Sequence, residues 1–264
     1  MIVVEFMCQF GNQLFQYNIG RILAQRTGQA FQPPVQWLDK HGWPVVWTLK
    51  PPLVTPRAVP GEHPSGDAQT VHVEQWLDLD SVRPDRPVHI TYGYFQRYEL
   101  LQPYKDQIRN DWLKLSQPFV QTDSEAVYVH VRRTDYVGGW ATSIDDYAKC
   151  LDCFPDAKRL VLVTDDPEDP IHNEFSRFGL PYTISGRPWD KDFLLLASCR
   201  QLIISQSTFA WWAGFLGQAE KIVCPVFPGT FWRHGVGITG HRPPSRDYPN
   251  LYVYDEPERW HWLT

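Results

Sequence analysis

Three short stretches gather side chains suited to holding an anion. "VYVHVRRTDY" (127–136) places His130, Arg132, Arg133 and Asp135 at the end of an apolar run. "VTDDPE" (163–168) places Asp165 and Asp166 after a second run, and "SQSTFAWW" (205–212) places Ser205, Ser207 and Thr208 before a helix-like apolar segment. A guanidinium presents a planar fork that matches two phosphate oxygens. A helix start adds unpaired backbone N–H groups, hydroxyls and the positive end of the helix dipole. Together these groups make a pyrophosphate site. The same residues allow a purely structural reading, in which the arginines pair with Asp135, Asp165 or Asp166 and Ser207 only caps a helix.

The elements that must position these groups read as alternating strands and helices. Strands at 126–131, 159–164, 181–184, 201–205 and 221–226 alternate with helices near 144–153, 170–178, 190–199 and 208–218. Short apolar strands separated by helices predict a parallel sheet covered on both faces. In such a sheet ligands bind beyond the carboxyl ends of the strands, where all three stretches fall. Ahead of this half, "IVVEF" (2–6) reads as a buried strand and 12–26 as a helix, with "VHITYGYF" (88–95) a further strand. A helix is predicted over 99–115 with Pro103 near its start. Residues 33–64 hold eight prolines and read as loops and short strands. A domain boundary is expected near residue 122, giving units 1–122 and 123–264.

Composition narrows the function class. The 264-residue chain is 43% hydrophobic, 21% charged and carries a net charge of −5, which argues against nucleic acid as a partner. Five cysteines, with only one CxxC spacing (Cys150, Cys153), predict reduced thiols rather than a disulfide framework or zinc site. No signal peptide or membrane span is read, so the expected compartment is the cytoplasm. "DLD" (78–80) has the spelling of a metal motif but reads as loop, and no metal or other cofactor is expected.

"FGNQLFQYNIGRILA" (10–24) resembles the GGLGNQLFQYA signature of the family 11 α-1,2-fucosyltransferases. "HVRRTDYV" (130–137) is similar to the HxRRxD motif shared by α-1,2-, α-1,6- and protein O-fucosyltransferases. "SQSTFAWWAGFL" (205–216) resembles the family's SSFSWWxAWL stretch, and "YGYFQ", "VTDDPE", "DFLLLASC" and "KIVCP" match in order. The resemblance implies an α/β, GT-B-like fold of two Rossmann-like domains facing a cleft, the first on the acceptor side and the second binding GDP. It implies metal-independent, inverting transfer of L-fucose from GDP-fucose to a glycan hydroxyl. It further implies that His130 and Arg132 hold the donor phosphates with Arg133 beside them, that Asp192 contacts guanine, and that Ser207 and Thr208 bind the β-phosphate. Ser205 joins this donor set, with Asp165 and Asp166 facing the nucleotide. Asn12 and Gln13 could cap the first helix, but their place at a strand end beside the expected cleft favours a role with sugar hydroxyls. Trp211 and Trp212 read as helix packing.

The chain departs from the pattern in three places. Cys8-Gln9-Phe10 replaces Gly-Gly-Leu, Thr134 replaces the family's usual Gly, and "VGGW" (137–140) lacks the carboxylate of the α-1,6 branch. The general base therefore stays open among Asp135, Asp145 and Asp146. A transferase using another nucleotide sugar, or an inactive sugar- or nucleotide-binding relative, are the other readings.

Overall fold

The computed structural model describes residues 1–4, 9–32, 49–50, 69–71, 79–82, 85–90, 95–115, 117–135, 141–225, 251 and 253–263. It divides into two units, 1–117 and 118–264. The division falls ahead of residue 122 because the lead-in segment is tied to the second unit. Val120 N donates to Ser198 Oγ at 3.0 Å and Thr122 Oγ1 donates to Ser198 O at 3.1 Å.

In the first unit, β1 (Ile2–Val4) leads to helix α1 (Phe10–Thr27) and back to β2 (Phe31–Gln32). Both Ile2 and Val4 are fully buried. Helix α1 ends at Gly28, whose left-handed φ of 67° is the usual glycine stop. β4 (Gln69–Val71) and β5 (Val88–Ile90) complete a parallel sheet in the order β2-β1-β5-β4. A separate antiparallel pair joins β3 (Leu49–Lys50) to β6 (Lys114–Leu115).

The helix expected over 99–115 is instead a composite. An α-turn at Tyr98–Leu101, a 3-10 turn at Gln102–Tyr104, a turn at Lys105–Gln107 and a π-helical turn at Ile108–Trp112 follow one another. Pro103 has no N–H to give the ladder and crowds the carbonyl four residues back, so the regular i→i−4 pattern cannot run through it. Residues 114–115 leave the helix to pair with β3.

The second unit is built on β7 (Ala126–Val131), a six-residue strand buried along its whole length. Its valines point to one face, against Tyr147 and Cys150 of α2 (Ile144–Leu151) and against Leu160 and Leu162 of β8 (Arg159–Thr164). Beyond β8 come α3 (Ile171–Glu174), running on as a 3-10 turn to Phe178, and β9 (Tyr182–Ser185). Then follow α4 (Trp189–Ser198), β10 (Gln201–Ile203), α5 (Thr208–Leu216) and β11 (Lys221–Pro225). The last strand is β12 (Trp260–Leu263). All neighbours are parallel, in the order β12-β11-β10-β7-β8-β9.

Counted within the unit, that order is 6-5-4-1-2-3, the doubly wound arrangement whose strand order reverses between its first and fourth strands. β7 and β8 register over six residue pairs, whereas β7 and β10 register over two, Leu202↔Tyr128 and Ile203↔Val129. α4 and α5 pack closely at Gly217. A Cβ there would come within 2.4 Å of Ala197 O. Trp211 and Trp212 are fully buried and meet edge to face at 5.0 Å, so they pack the helix as expected.

The tail is drawn in by Arg259, which donates from Nε to Ala219 O at 2.7 Å and from Nη2 to Gly217 O at 2.6 Å. Cys150, Cys153, Cys199 and Cys224 are all free thiols. Among the described residues no helix is long and apolar enough to cross a membrane. Cys8, the proline-rich 33–48 and 51–68, most of "YGYFQ", "VGGW" and the tail from 226 to 250 lie outside the described residues.

Candidate anion site at the sheet switch point

The carboxyl ends of β7 and β10 flank the point where strand order reverses, the place where doubly wound sheets bind ligands. A side-chain hydrogen bond crosses it. His130 Nδ1 lies 2.7 Å from Ser205 Oγ, with both side chains buried. Burial is the main force on this imidazole, and the neighbouring Arg132 cation adds to it. Its pKa is pushed down to about 3, against the weaker pull of Asp165. His130 is therefore neutral at physiological pH. Its backbone carbonyl accepts from Tyr147 Oη at 3.0 Å, which anchors the strand end from the opposite face.

Arg132 and Arg133 follow directly and take different partners. Arg132 meets Asp135 side-on, with Nε to Oδ1 and Nη2 to Oδ2 both at 2.7 Å, and its Nε lies 3.5 Å from Asp165 Oδ2. Arg133 turns to Asp169, donating from Nε to Oδ2 at 2.9 Å. Asp165 fastens the loop by accepting from Arg133 N at 2.8 Å and from Thr134 Oγ1 at 2.6 Å. Burial alone would raise its pKa, but these donors and the Arg132 charge hold the carboxyl below its ordinary value. Asp166 does not join it. Its Oδ1 accepts from Glu168 N at 3.2 Å, and its carbonyl accepts from His172 Nε2 at 2.7 Å. The adjacent carboxylates thus serve two different loops.

The paired-arginine reading therefore describes part of the structure, although one of the partners is Asp169, which sequence reasoning does not single out. The other half of that reading does not hold. Ser207 occupies the N-cap of α5, yet its side chain makes no capping hydrogen bond although the residue is buried. The first turn of α5 carries Thr208 and no acidic residue, so the positive end of this helix opens beside Ser205 and Ser207.

Asp192 stands in the first turns of α4 and is 5% exposed. It accepts from Ser185 Oγ, at the end of β9, at 2.9 Å. Burial pushes its pKa up to about 6, partly offset by Ser185 and the Arg187 charge. Of the candidate bases, two outside the arginine loop are held in ion pairs. Asp145 ion-pairs with Arg177 at 3.3 Å and Asp146 with Lys149 at 3.7 Å. Among the described residues no group of three or more His, Cys, Asp or Glu could hold a metal ion. Asp80 of the "DLD" tripeptide is ion-paired with Arg26 on a 3-10 turn.

The first unit carries its own polar cluster at the start of α1. Gln96 Nε2 donates to Asn12 Oδ1 at 2.6 Å, and Gln13 is buried beside it in sequence. Gln96 follows Phe95, a buried residue held at φ 52°, a conformation that non-glycine residues adopt rarely. Gln96 was not foreseen as a site residue. Its inclusion in "YGYFQ" was the available signal. The N-cap of α1 is Gln9, so Asn12 and Gln13 do not cap the helix.

The chain is similar in sequence to known glycosyltransferases. The chain is 24% identical over 250 residues to galactoside alpha-(1,2)-fucosyltransferase 1 of Alouatta caraya, covering 83% of this chain and 66% of that protein. It is 26% identical over 257 residues to galactoside alpha-(1,2)-fucosyltransferase 2 of Oryctolagus cuniculus, covering 84% and 68% respectively. A shorter match, 25% over 157 residues, is to the O-antigen biosynthesis glycosyltransferase WbnK of Escherichia coli, covering 50% of this chain and 52% of that protein. The chain thus spans between about half and two thirds of the length of these relatives. The family model described as glycosyl transferase family 11 matches residues 84–227, more than half of the chain and the stretch that holds every switch-point residue above. The chain belongs to glycosyl transferase family 11.

Proposed function

We propose that the chain is an inverting fucosyltransferase that moves L-fucose from GDP-β-L-fucose to a sugar hydroxyl of a glycan, with α-1,2 linkage. The observation that carries this reading is the buried His130–Ser205 bond across the switch point. It ties the arginine loop to the start of α5. The galactoside acceptors and α-1,2 linkage named for two relatives support the choice of reaction. In this reading the second unit binds GDP and the first unit serves the acceptor, in the manner of a GT-B transferase. Asn12 and Gln13 serve sugar hydroxyls.

When the fucosyl carbon–oxygen bond breaks, its electron pair goes to the β-phosphate of the departing GDP. Arg132, the α5 N-terminus, Ser207 and Thr208 stabilise that charge, and neutral His130 contributes a hydrogen bond without a second cation. Asp192 takes the guanine edge, whose paired N–H groups suit a carboxylate. A guanidinium and a helix terminus supply the positive field that other transferases obtain from a divalent ion, so turnover needs no metal.

The test is turnover of a galactoside acceptor with GDP-fucose in excess EDTA, set against a panel of other nucleotide sugars. GDP-fucose should be the preferred donor, and EDTA should leave the rate unchanged. Preference for another donor overturns the fucosyl assignment. A rate lost in EDTA and restored by magnesium or manganese overturns the metal-free clamp. Donor binding without transfer or hydrolysis would mark an inactive relative.

A further inference from the structure

A neutral imidazole has one N–H donor and one bare nitrogen, and which nitrogen carries the proton decides what it can offer a ligand. At the switch point the partner makes that choice. Ser205 is 1% exposed, and among the described residues the only hydrogen-bond partner of its Oγ is His130 Nδ1, at 2.7 Å. A hydroxyl has one proton to place. If Nδ1 carried the imidazole proton and gave it to Oγ, the Ser205 proton would be buried without an acceptor, a cost that protein interiors avoid. If Oγ instead donates to Nδ1, both atoms are satisfied and the imidazole proton sits on Nε2. Nε2 makes no hydrogen bond to a described residue.

The rest of His130 is held as well. Tyr147 Oη donates to its backbone carbonyl at 3.0 Å, and the Phe209 ring lies 5.8 Å from the imidazole, tilted by 32°. With the backbone anchored and the ring packed, the Ser205 bond sets ring rotation and tautomer together. We propose that Ser205 is a positioning residue that locks His130 in its Nε2–H tautomer, so that the imidazole presents an N–H to the diphosphate. The inference rests on the nucleotide-sugar reading above. It moves Ser205 out of direct contact with the donor, because its single proton is spent on Nδ1. The opposite tautomer would turn a lone pair toward the phosphate oxygens and repel them.

Nitrogen-15 NMR of the histidine-labelled protein reads the tautomer directly. The chain has nine histidines, and His130 is identified by through-bond correlation to its backbone. In the wild type, with and without GDP, Nδ1 should be of the pyridine type and Nε2 of the pyrrole type. In Ser205→Ala that preference should be lost, and calorimetry should show GDP bound about two- to tenfold more weakly, the worth of one neutral hydrogen bond. Ser205→Thr, which keeps the hydroxyl, should restore both. His130→Gln, whose amide N–H stands in for Nε2–H, should bind GDP more tightly than His130→Asn, whose amide stands in for Nδ1. A pyrrole-type Nδ1 in the wild type overturns the tautomer, and that measurement needs no substitution to fold. Equal GDP affinity in the wild type and Ser205→Ala overturns the positioning role. The Nε2–H tautomer in a wild type that binds no GDP overturns the nucleotide reading and the role toward the diphosphate, while the lock between Ser205 and His130 stands.

Discussion

Two serine hydroxyls hold two buried titratable side chains on the same end of one sheet, with opposite electrostatic results. At the centre, Ser205 holds His130, whose pKa is driven down to about 3. Nearer the edge, Ser185 holds Asp192, whose pKa is driven up to about 6. Burial is the largest cause in both, since it disfavours whichever form is charged. The neighbours differ. Arg132 reinforces burial at His130, whereas Arg187 opposes it at Asp192. The centre therefore keeps a neutral hydrogen-bonding group at all physiological pH values, and the flank keeps a carboxylate that ionises close to neutrality. In the function proposed above, these become the phosphate pole and the base-recognition pole of one nucleotide site.

The largest expected effects lie at the central pole. Arg132→Ala should lower kcat by about 10²–10³, the usual cost of losing one preorganised charge stabiliser. Its thermal midpoint without ligand should stay close to wild type, because Asp135 is half-exposed and Asp165 keeps its donors from Arg133 N and Thr134 Oγ1. Arg132→Lys, which keeps the charge and loses the fork, should also be impaired. An early-unfolding variant that turns over normally in the cold would assign Arg132 to the fold instead.

At the flank, Asp192→Ala should weaken GDP by roughly 10–100-fold, as expected for a hydrogen bond to a charged group, and leave UDP unaffected. GDP affinity of the wild type should also fall as pH drops through about 6, where the carboxyl takes up its proton. Asp192→Asn should remove that dependence. Calorimetry from pH 5 to 8 measures both, and equal weakening of GDP and UDP would dissolve the distinction between the poles.

The smallest effects concern stability without ligand, and their signs oppose each other. Asp192 has a folded pKa above the unfolded carboxylate value, so its contribution is most favourable below that value and is lost as pH rises to about 6. His130 has a folded pKa below the unfolded value. Its contribution is complete above about 6.5 and is lost as pH falls toward 3. Asp192→Asn should therefore raise Tm at pH 7, by about 2–4 °C for each kcal/mol recovered. It should also steepen the acid limb of the stability curve, while His130→Gln should flatten it. Parallel acid limbs in all three proteins would show that neither group titrates as described.

Much of the central pole was legible because local chemistry decides it. Runs of β-branched residues ending in charge, "AVYVHV" and "RLVLVT", form strands with the expected bounds. The Ser-Thr pair before "FAWW" does begin a helix. What escaped depends on pairing across the chain. Nothing in "VRRTDY" indicates that Arg133 turns to Asp169, 36 residues away, while Arg132 keeps Asp135. The contact between Gln96 and Asn12 spans 84 residues, and Phe95 adopts its rare backbone angle beside it. The composite over 98–112 also escaped, because periodicity reports which side is apolar and not which hydrogen-bond ladder closes around Pro103.

The two-pair register between β7 and β10 has a mechanical meaning. A sheet transmits load through its ladders, and this ladder joins the half that begins with β7 to the half that begins with β10. The seam down the middle of the domain is its thinnest, beside a β7–β8 ladder of six pairs. A ligand gripping both strand ends acts there as a rivet. In the proposed reading its binding energy falls on the joint with the fewest registered residue pairs in the sheet, so occupancy and the cohesion of the two half-sheets should rise and fall together.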